Sequence, residues 1–362
     1  MPTSANIAFY VHHHGSGHLM RCLTISKLLL AEYQITFLGS GLSAYASILP
    51  PAIHCIELPL DTPSPTDVFY SRGNSVEGLH YAPLNVQGQR QRTALLTDFF
   101  LRESPLVLVV DVSVEVTLLA RLCGVPTVVI KQHGYRNDLA HRLAYQSAQL
   151  VLAPYSIALQ QHESSWLARK LVYTGGFCRY LPQANSHPGE QANHVAVLIG
   201  TGGSSLDRTF VTHLAQQLPN WIVEVVGTLT GGEAAQPLFN LVLHGHQDDP
   251  RWVIDQCRVI IGNAGHNTVM EMAALQKRFI VVPEPRPFEE QVVKATLLSD
   301  LALAHVIDPK DLYQISWSTL LTSVSEDFPR WHGLVDEQAS SRAAQMIRDT
   351  CTSLSARGST SL

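Results

Sequence analysis

Two α/β units of similar size, each built on a parallel β-sheet, are what the sequence predicts, and three observations carry that reading. Short, continuously apolar runs alternate with stretches whose apolar residues fall at helical spacing. The alternation breaks once, over a polar stretch with prolines and a glycine, and then restarts. A chain of 362 residues, at roughly 150 per domain, has room for two such units. Strands that are apolar along their whole length belong to parallel sheets covered by helices on both faces.

In the first half, Ile7–Val11, Ile35–Leu38, Leu106–Val110, Thr127–Ile130 and Leu150–Leu152 read as buried strands, with helices at Leu19–Leu30 and Val114–Leu122. Pro59–Gln89 is rich in Pro, Gly and Asn and poorly periodic; a loop that long inside a domain is usually functional. The N-terminal domain is expected over 1–180 and a linker over 181–193. The pattern restarts with strands at Val195–Ile199, Ile222–Val226, Leu238–Leu243, Val259–Ile261 and Phe279–Val282, giving a C-terminal domain over 194–335. A helix is expected over 336–352 and a disordered tail over 353–362.

Composition narrows the function. Apolar residues make up 46% and charged residues 15%, so the chain is not globally disordered. With 25 basic against 30 acidic residues the net charge is −5, which argues against a nucleic-acid partner. Cys22, Cys55, Cys123, Cys178, Cys257 and Cys351 form no C-x-x-C pair, so neither a zinc site nor a disulfide framework is expected. No apolar run approaches ~18 residues and the N-terminus does not read as a signal peptide, so a cytoplasmic protein is expected.

Three small-residue turns carry the candidate chemistry. Gly15 and Gly17 lie between the first strand and first helix, followed by His18, at the edge where open α/β sheets bind ligands. The turn is not G-x-G-x-x-G, and His18 also reads as a residue capping the turn; His12–His14 before it read equally as a solvated run. Gly200–Ser205 holds Gly202, Gly203, Ser204 and Ser205, whose N–H and hydroxyl groups suit a phosphate nest, or a plain turn. The third turn, Gly262–Glu271, opens a helix near Asn267 and Thr268 and groups Asn263 and Gly265 with them around one anion. Glu271, three residues past Thr268, suits the vicinal hydroxyls of a ribose, or else a capping box with Thr268. Asp111, ending the strand Leu106–Val110, stands where it can orient His18, or cap the helix that begins near Val114.

AGHNTVMExxA, followed by a strand, a Pro-rich turn and Glu289-Glu290-Gln291, resembles the donor-binding segment of glycosyltransferase family 28, and more distantly that of UDP-glycosyltransferases. The likeness spans about Val195–Ile307, and in the first half it rests on GSGHLMRCLTIS and a few strands. It implies a GT-B fold: two Rossmann-like parallel-sheet domains facing each other across a cleft, the acceptor on the N-terminal side and the donor on the C-terminal side. It implies phosphate contacts from Asn263, Gly265, Asn267 and Thr268, ribose contacts from Glu271, and sugar contacts from Glu290 and Gln291. His18 is implied as catalytic base with Asp111 as its partner, and GTGGSS as the loop facing the diphosphate. Asn263 and His266 depart from the histidine and tryptophan common in UDP-glycosyltransferases.

The activity so implied is an inverting, metal-independent transfer of sugar from a nucleotide-sugar, UDP-linked by family inference, to a hydroxyl acceptor, small or lipid-linked. No cofactor is expected, and no metal: the chain has no D-x-D, so helix N-termini and donor side chains must offset the diphosphate charge. Peripheral contact with the inner membrane face is a further expectation, from N-domain cations at Gln89–Arg92, Lys131, His133, Arg136, His141 and Arg142, which read equally as a solvated face. GSGHLMRCLTIS is also similar to the UDP-sugar hydrolases of the pseudaminic acid pathway, which share the fold and transfer the sugar to water. A non-catalytic nucleotide-sugar binding protein is the alternative from another class.

Overall fold

The computed structural model describes residues 6–13, 16–71, 76–183, 189–200, 202–231 and 238–358. Gly15, His14 and Thr201, and parts of the expected linker and tail (184–188 and 359–362), lie outside the described residues.

The chain divides into two compact units. The first comprises Met1–Gln132, Arg136–Gly175 and Gln338–Leu362; the second comprises His133–Tyr135 and Gly176–Glu337. In the first, β1 (Asn6–Val11), β2 (Ile35–Gly39), β3 (Ile53–Glu57), β4 (Leu106–Asp111), β5 (Thr127–Ile130), β6 (Leu150–Ala153) and β7 (Leu171–Tyr173) form one sheet. Its order is β3-β2-β1-β4-β5-β6-β7 and every pair is parallel. Helices α1 (Ser16–Lys27), α2 (Gln87–Arg102), α3 (Val114–Leu122), α4 (Leu139–Ser147) and the single turn α5 (Ser165–Ala168) connect these strands. All six residues of β4 are buried, as a central strand covered on both faces requires.

The second unit repeats the plan with β8 (Gln191–Leu198), β9 (Ile222–Val226), β10 (Leu241–Gly245), β11 (Cys257–Gly262), β12 (Arg278–Val281) and β13 (His305–Val306), in the order β10-β9-β8-β11-β12-β13, all parallel. Its helices are α6 (Arg208–Gln217), α7 (Arg251–Gln256), α8 (His266–Ala274), α9 (Glu290–Asp300) and α10 (Trp317–Glu326). Phe210 of α6 and Trp317 of α10, both fully buried, meet edge to face at 5.3 Å against Val195, Val197 and Val225 of the sheet.

In both sheets the strand order reverses once, between β1 and β4 and between β8 and β11. At such a switch point the connections leave to opposite faces and a crevice opens at the strands' carboxyl ends. The Gly17-His18 turn follows β1 and Asp111 ends β4; the Gly200–Ser205 turn follows β8 and the Gly262–Glu271 segment follows β11. All the predicted site segments outside the EEQ helix thus sit at the two switch points.

The boundaries differ from the sequence reading in several places: the strand expected over Leu238–Leu243 is Leu241–Gly245, and the helix expected over Leu19–Leu30 is Ser16–Lys27. Gln191–Asn193, read as linker, are the first residues of β8, because pairing with β11 reaches Gln191↔Cys257, beyond the apolar run. Arg179 and Tyr180 belong to the second unit, where their side chains are held by Glu271 and Asp249. The last helix, α11, runs Ala339–Gly358, past the expected start of the tail, since Ser, Ala and Arg continue a helix at little cost. It packs in the first unit, where Arg348 donates to Glu32 and to the carbonyl of Leu28, and Arg342 to the carbonyl of Thr174.

Gly134 carries a positional constraint in the second unit. Its φ is +109°, and a Cβ there would lie 2.5 Å from the carbonyl oxygen of Phe288. Tyr135 N–H donates to that same oxygen at 2.8 Å. Phe288 and Glu289 themselves sit at φ 60° and 54°, a tight turn that delivers Glu290 and Gln291 to the start of α9. Gly134→Ala is therefore expected to destabilise this unit by about 1–3 kcal/mol. Gly124→Ala, at φ +75° with open space around it, is expected to cost less. Thermal melts of the two variants test this, and equal losses would show that the Phe288 turn yields freely.

Candidate active site

In the first unit, the register Tyr10↔Val110 brings the ends of β1 and β4 side by side. Asp111 is wholly buried there. Arg21 of α1 grips it with Nη2 at 2.7 and 2.9 Å from the two carboxylate oxygens and Nε at 3.1 Å. His18, one turn earlier on the same face of α1, places Nδ1 3.2 Å from Asp111 Oδ1 and 3.2 Å from Arg21 Nη2. Cys22 Sγ adds a weak donor at 3.7 Å. Burial alone would push the Asp111 carboxyl up, but the charges and hydrogen bonds of Arg21 and His18 outweigh it and hold the group well below the usual carboxylate range.

The capping alternative for Asp111 is set aside, because Ser113 is the N-cap of α3 and accepts from Val116 N–H. Val112 sits between them at φ 66°, a costly conformation for a β-branched residue that turns the chain sharply after Asp111. Gly17 is the second residue of α1. The ring of His12 stacks on that of His13 and lies 5.3 Å from that of His18, so two of the three preceding histidines belong to the same neighbourhood.

In the second unit, Gly265 is the N-cap of α8, and its N–H donates to Asn263 Oδ1 at 3.0 Å. His266, Asn267 and Thr268 are the first three helical residues, whose N–H groups point out of a helix start. Beneath this turn the fully buried Lys294 of α9 donates to the carbonyl of Ala264 at 3.2 Å and lies 3.6 Å from Glu290. The turn is thus backed by a buried cation as well as by the helix dipole.

Glu271 does not close a capping box, since Thr268 is the third helical residue and not the N-cap. Its carboxylate, 9% exposed, accepts from Arg179 Nε at 2.8 Å. Burial raises the Glu271 pKa and Arg179 offsets part of that rise.

The glycine-rich loop differs from the expectation. Ser204 Oγ, Ser205 Oγ and Ser205 N–H all donate to the buried carboxylate of Glu284, at 2.9, 2.8 and 2.6 Å. Arg286 donates to the carbonyl of Gly203 at 2.6 Å, and its guanidinium lies 3.2 Å from where a Cβ on Gly202 would stand. Three of the donors read as a phosphate nest, the two hydroxyls and the Ser205 N–H, are therefore engaged by an internal carboxylate. Gln291, also buried, accepts from Glu284 N–H at 2.9 Å, which fixes its side-chain amide and uses one of the two lone pairs of Oε1.

Arg21, Arg179, Glu284 and Lys294 stand at these sites beyond the residues that the sequence singles out. The spacing of Arg21 from His18 and of Lys294 from Glu290 was visible as helical neighbours; Arg179 and Glu284 reach the site through the fold.

Among the described residues, the group able to hold a metal ion is His80, Asp138 and His141, in the first unit. Arg136 Nη1 lies 3.1 Å from His141 Nε2 and can only donate. His141 Nδ1 therefore carries the proton, directed at Asp138 Oδ2 at 2.6 Å, while His80 Nε2 meets Asp138 Oδ1 at 2.9 Å. No helix among the described residues is long and apolar enough to cross a membrane.

Comparison with known proteins agrees with this architecture. Residues 244–329 match the glycosyltransferase family 28 C-terminal domain. The chain is 26% identical over 318 residues to the UDP-N-acetylglucosamine–N-acetylmuramyl-(pentapeptide) pyrophosphoryl-undecaprenol N-acetylglucosamine transferase of Yersinia pseudotuberculosis, covering 84% of this chain and 85% of that protein. The enzyme of the same name from Histophilus somni is 24% identical over 250 residues, 64% of this chain and 68% of that protein. Among solved structures, Acinetobacter baumannii MurG superposes with a TM-score of 0.61 at 16% identity, covering 95% of this chain and 99% of the other. A UDP-glucosyltransferase from Polygonum tinctorium gives 0.64 at 14% identity, covering 97% and 99%.

Arg21→Met is expected to be destabilising by about 3–5 kcal/mol at neutral pH, because it strands a buried charge. The sign with pH follows from the depressed Asp111 pKa. The native ion pair stabilises above the unfolded carboxylate pKa of about 4 and its contribution falls away below it, whereas the variant gains once Asp111 takes a proton. The stability gap, read by denaturant unfolding at a series of pH values, should be widest near neutrality and narrow below pH ~4. A gap that is flat with pH would show that Asp111 is not the group Arg21 serves.

Proposed function

From the premise that the chain is a GT-B glycosyltransferase with a family 28 C-terminal domain, we propose that it transfers a sugar from a UDP-sugar to a hydroxyl acceptor, with inversion and without a metal. The observation that carries the mechanism is the buried His18–Asp111 contact at the first unit's switch point. With Nδ1 turned to Asp111, Nε2 is the nitrogen that takes the proton of the acceptor hydroxyl. The freed oxygen attacks the anomeric carbon, the bond from that carbon to the phosphate oxygen breaks, and the nucleoside diphosphate leaves with the electron pair. One displacement inverts the anomeric centre.

The donor is assigned to the second unit. Asn267 and Thr268, with the N–H groups opening α8, take the diphosphate, supported by Lys294 from below. That supply of positive potential is the ground for proposing metal independence. Glu271 takes the ribose hydroxyls, while Glu290 and the amide of Gln291 take sugar hydroxyls. Ser204 and Ser205 serve Glu284 and shape the site without binding phosphate.

A lipid-linked acceptor is favoured over a small one. The relatives named above act on an undecaprenol-linked acceptor by name. In the long segment after β3, Val68 and Phe69 are each 79% exposed and Leu84 55%, an apolar surface suited to a lipid or membrane face. A protein working at the inner membrane face follows from that assignment.

Incubation with a panel of UDP- and GDP-sugars, with and without lipid-linked acceptors, tests the reading. Product formed only with acceptor supports transfer; free sugar released without acceptor identifies a hydrolase, and tight binding without turnover a sensor. His18→Ala should lose ~10²–10⁴-fold in kcat with nucleotide affinity nearly intact, and Asp111→Asn less. The two losses should be non-additive in a double-mutant cycle, and strict additivity would dissolve the pair.

A further inference from the structure

Glu271 is joined to the turn between β10 and α7 by a short bridge. Arg179 donates through Nε to Glu271 and through Nη1 to the carbonyl of Asp248 at 2.5 Å. Its guanidinium lies over the ring of Tyr180, 5.0 Å from the centroid, and Arg251 lies at 5.6 Å from the same ring. The Tyr180 hydroxyl donates to Asp249 Oδ1 at 2.6 Å. Asp249 also caps Arg251 N–H, at the start of α7. Two adjacent side chains therefore tie the α8 carboxylate to the Asp248–Asp249 turn through three hydrogen bonds.

We propose that Arg179, braced by Tyr180, is a positioning residue that presents Glu271, ionised and in one orientation, to the ribose of the donor nucleotide, so that it sets selectivity for a ribonucleotide without touching the sugar itself. This rests on the assignment of the donor to the second unit. Three features of the geometry favour a brace over a movable plug. Arg179 is held by a carboxylate, a carbonyl and a ring at once, and freeing it would abandon all three. It occupies Glu271 Oε1 through a single N–H, and an ionised carboxylate offers about four acceptor positions, enough for two further hydroxyls. Glu271 is buried where a lone carboxylate would tend to take a proton, and a protonated one loses the charge-assisted bond to a hydroxyl.

The groups facing Glu271 are Arg179, Cys178, Tyr180 and Asp249, with Asp248 and His246 beyond them on the turn. Burial lifts the Cys178 thiol to about 12 and the Tyr180 hydroxyl higher still, so neither titrates near neutrality. The hydrogen bond from Tyr180 holds Asp249 below the usual carboxylate range. Glu271 is raised by burial and lowered again by the guanidinium, so among these groups it is the one whose protonation Arg179 governs.

Calorimetric titration with UDP and with 2′-deoxy-UDP tests the brace. The wild type is expected to prefer UDP by about 10–100-fold, the scale of one hydrogen bond to a charged group. In Arg179→Met the preference should fall below about threefold, and the acid-side loss of UDP affinity should begin at higher pH. Tyr180→Phe, which keeps the ring and removes the link to Asp249, should fall between the two. Arg179→Lys, charged but unable to span both acceptors, should retain part of the preference. Should Arg179→Met fail to fold, full preference in both Tyr180→Phe and Arg179→Lys overturns the proposal. Tighter UDP binding in Arg179→Met also overturns it, in favour of a plug. A wild type that binds UDP and discriminates, beside an Arg179→Met that discriminates equally, removes the brace and leaves the donor assignment standing. A wild type without affinity for UDP removes the donor assignment and the brace together.

Discussion

A carboxylate with no exposure to solvent stays charged only if a cation is buried with it, and the Arg21–Asp111 pair meets that requirement at the first switch point. The pair ties α1 to the end of β4, two elements separated by the whole of β2, β3 and α2 in sequence. Because His18 precedes Arg21 by one helical turn, anchoring the arginine also sets the height and rotation of the histidine. The second unit meets the same requirement with Arg179 and Glu271. In each case the acid lies beside a switch point and the arginine comes from a segment that precedes it in the chain.

Charge distribution also separates two loops that look alike in sequence. Gly200–Ser205 and Gly262–Thr268 both follow a central strand and both offer small residues and N–H groups. The first is turned on Glu284 and the second is backed by Lys294. An anion brought to the first meets a fixed negative charge; brought to the second it meets a helix start and a buried ammonium. Each loop also has a counter-charge, Arg286 at Gly203 and Glu290 beside Lys294, so the contrast lies in which charge stands nearest the N–H groups.

The architecture was legible because central strands of a covered parallel sheet are apolar throughout: Leu106–Val110 and Thr127–Ile130 agree with β4 and β5 to within a residue. The strands that escaped notice are edges. Ile53–Glu57 exposes His54, Cys55 and Glu57, while Leu171–Tyr173 and His305–Val306 are three and two residues long, too short for an apolar run to stand out. At the candidate sites, the sequence points to Asp111, Glu271 and His18 and pairs His18 with Asp111, but it does not name the cations that hold the two acids. A helical spacing suggests Arg21, whereas Arg179 stands 92 residues from Glu271 and Glu284 stands 79 from Ser205, distances over which only the folded sheet brings side chains together.

One consequence of the first ion pair reaches the chemistry directly. His18 Nδ1 lies equally far from an oxygen that only accepts and a guanidinium nitrogen that only donates. If Nδ1 carries the proton, it is bonded to Asp111 and Nε2 is left with its lone pair, able to act as a base. If Nδ1 accepts from Arg21, the proton sits on Nε2 and the ring can only donate there. Asp111 already receives three contacts from Arg21, so the arginine weakens the very acceptor that favours the basic tautomer. The arginine that keeps the acid charged is therefore also a competitor of His18 for its oxygens.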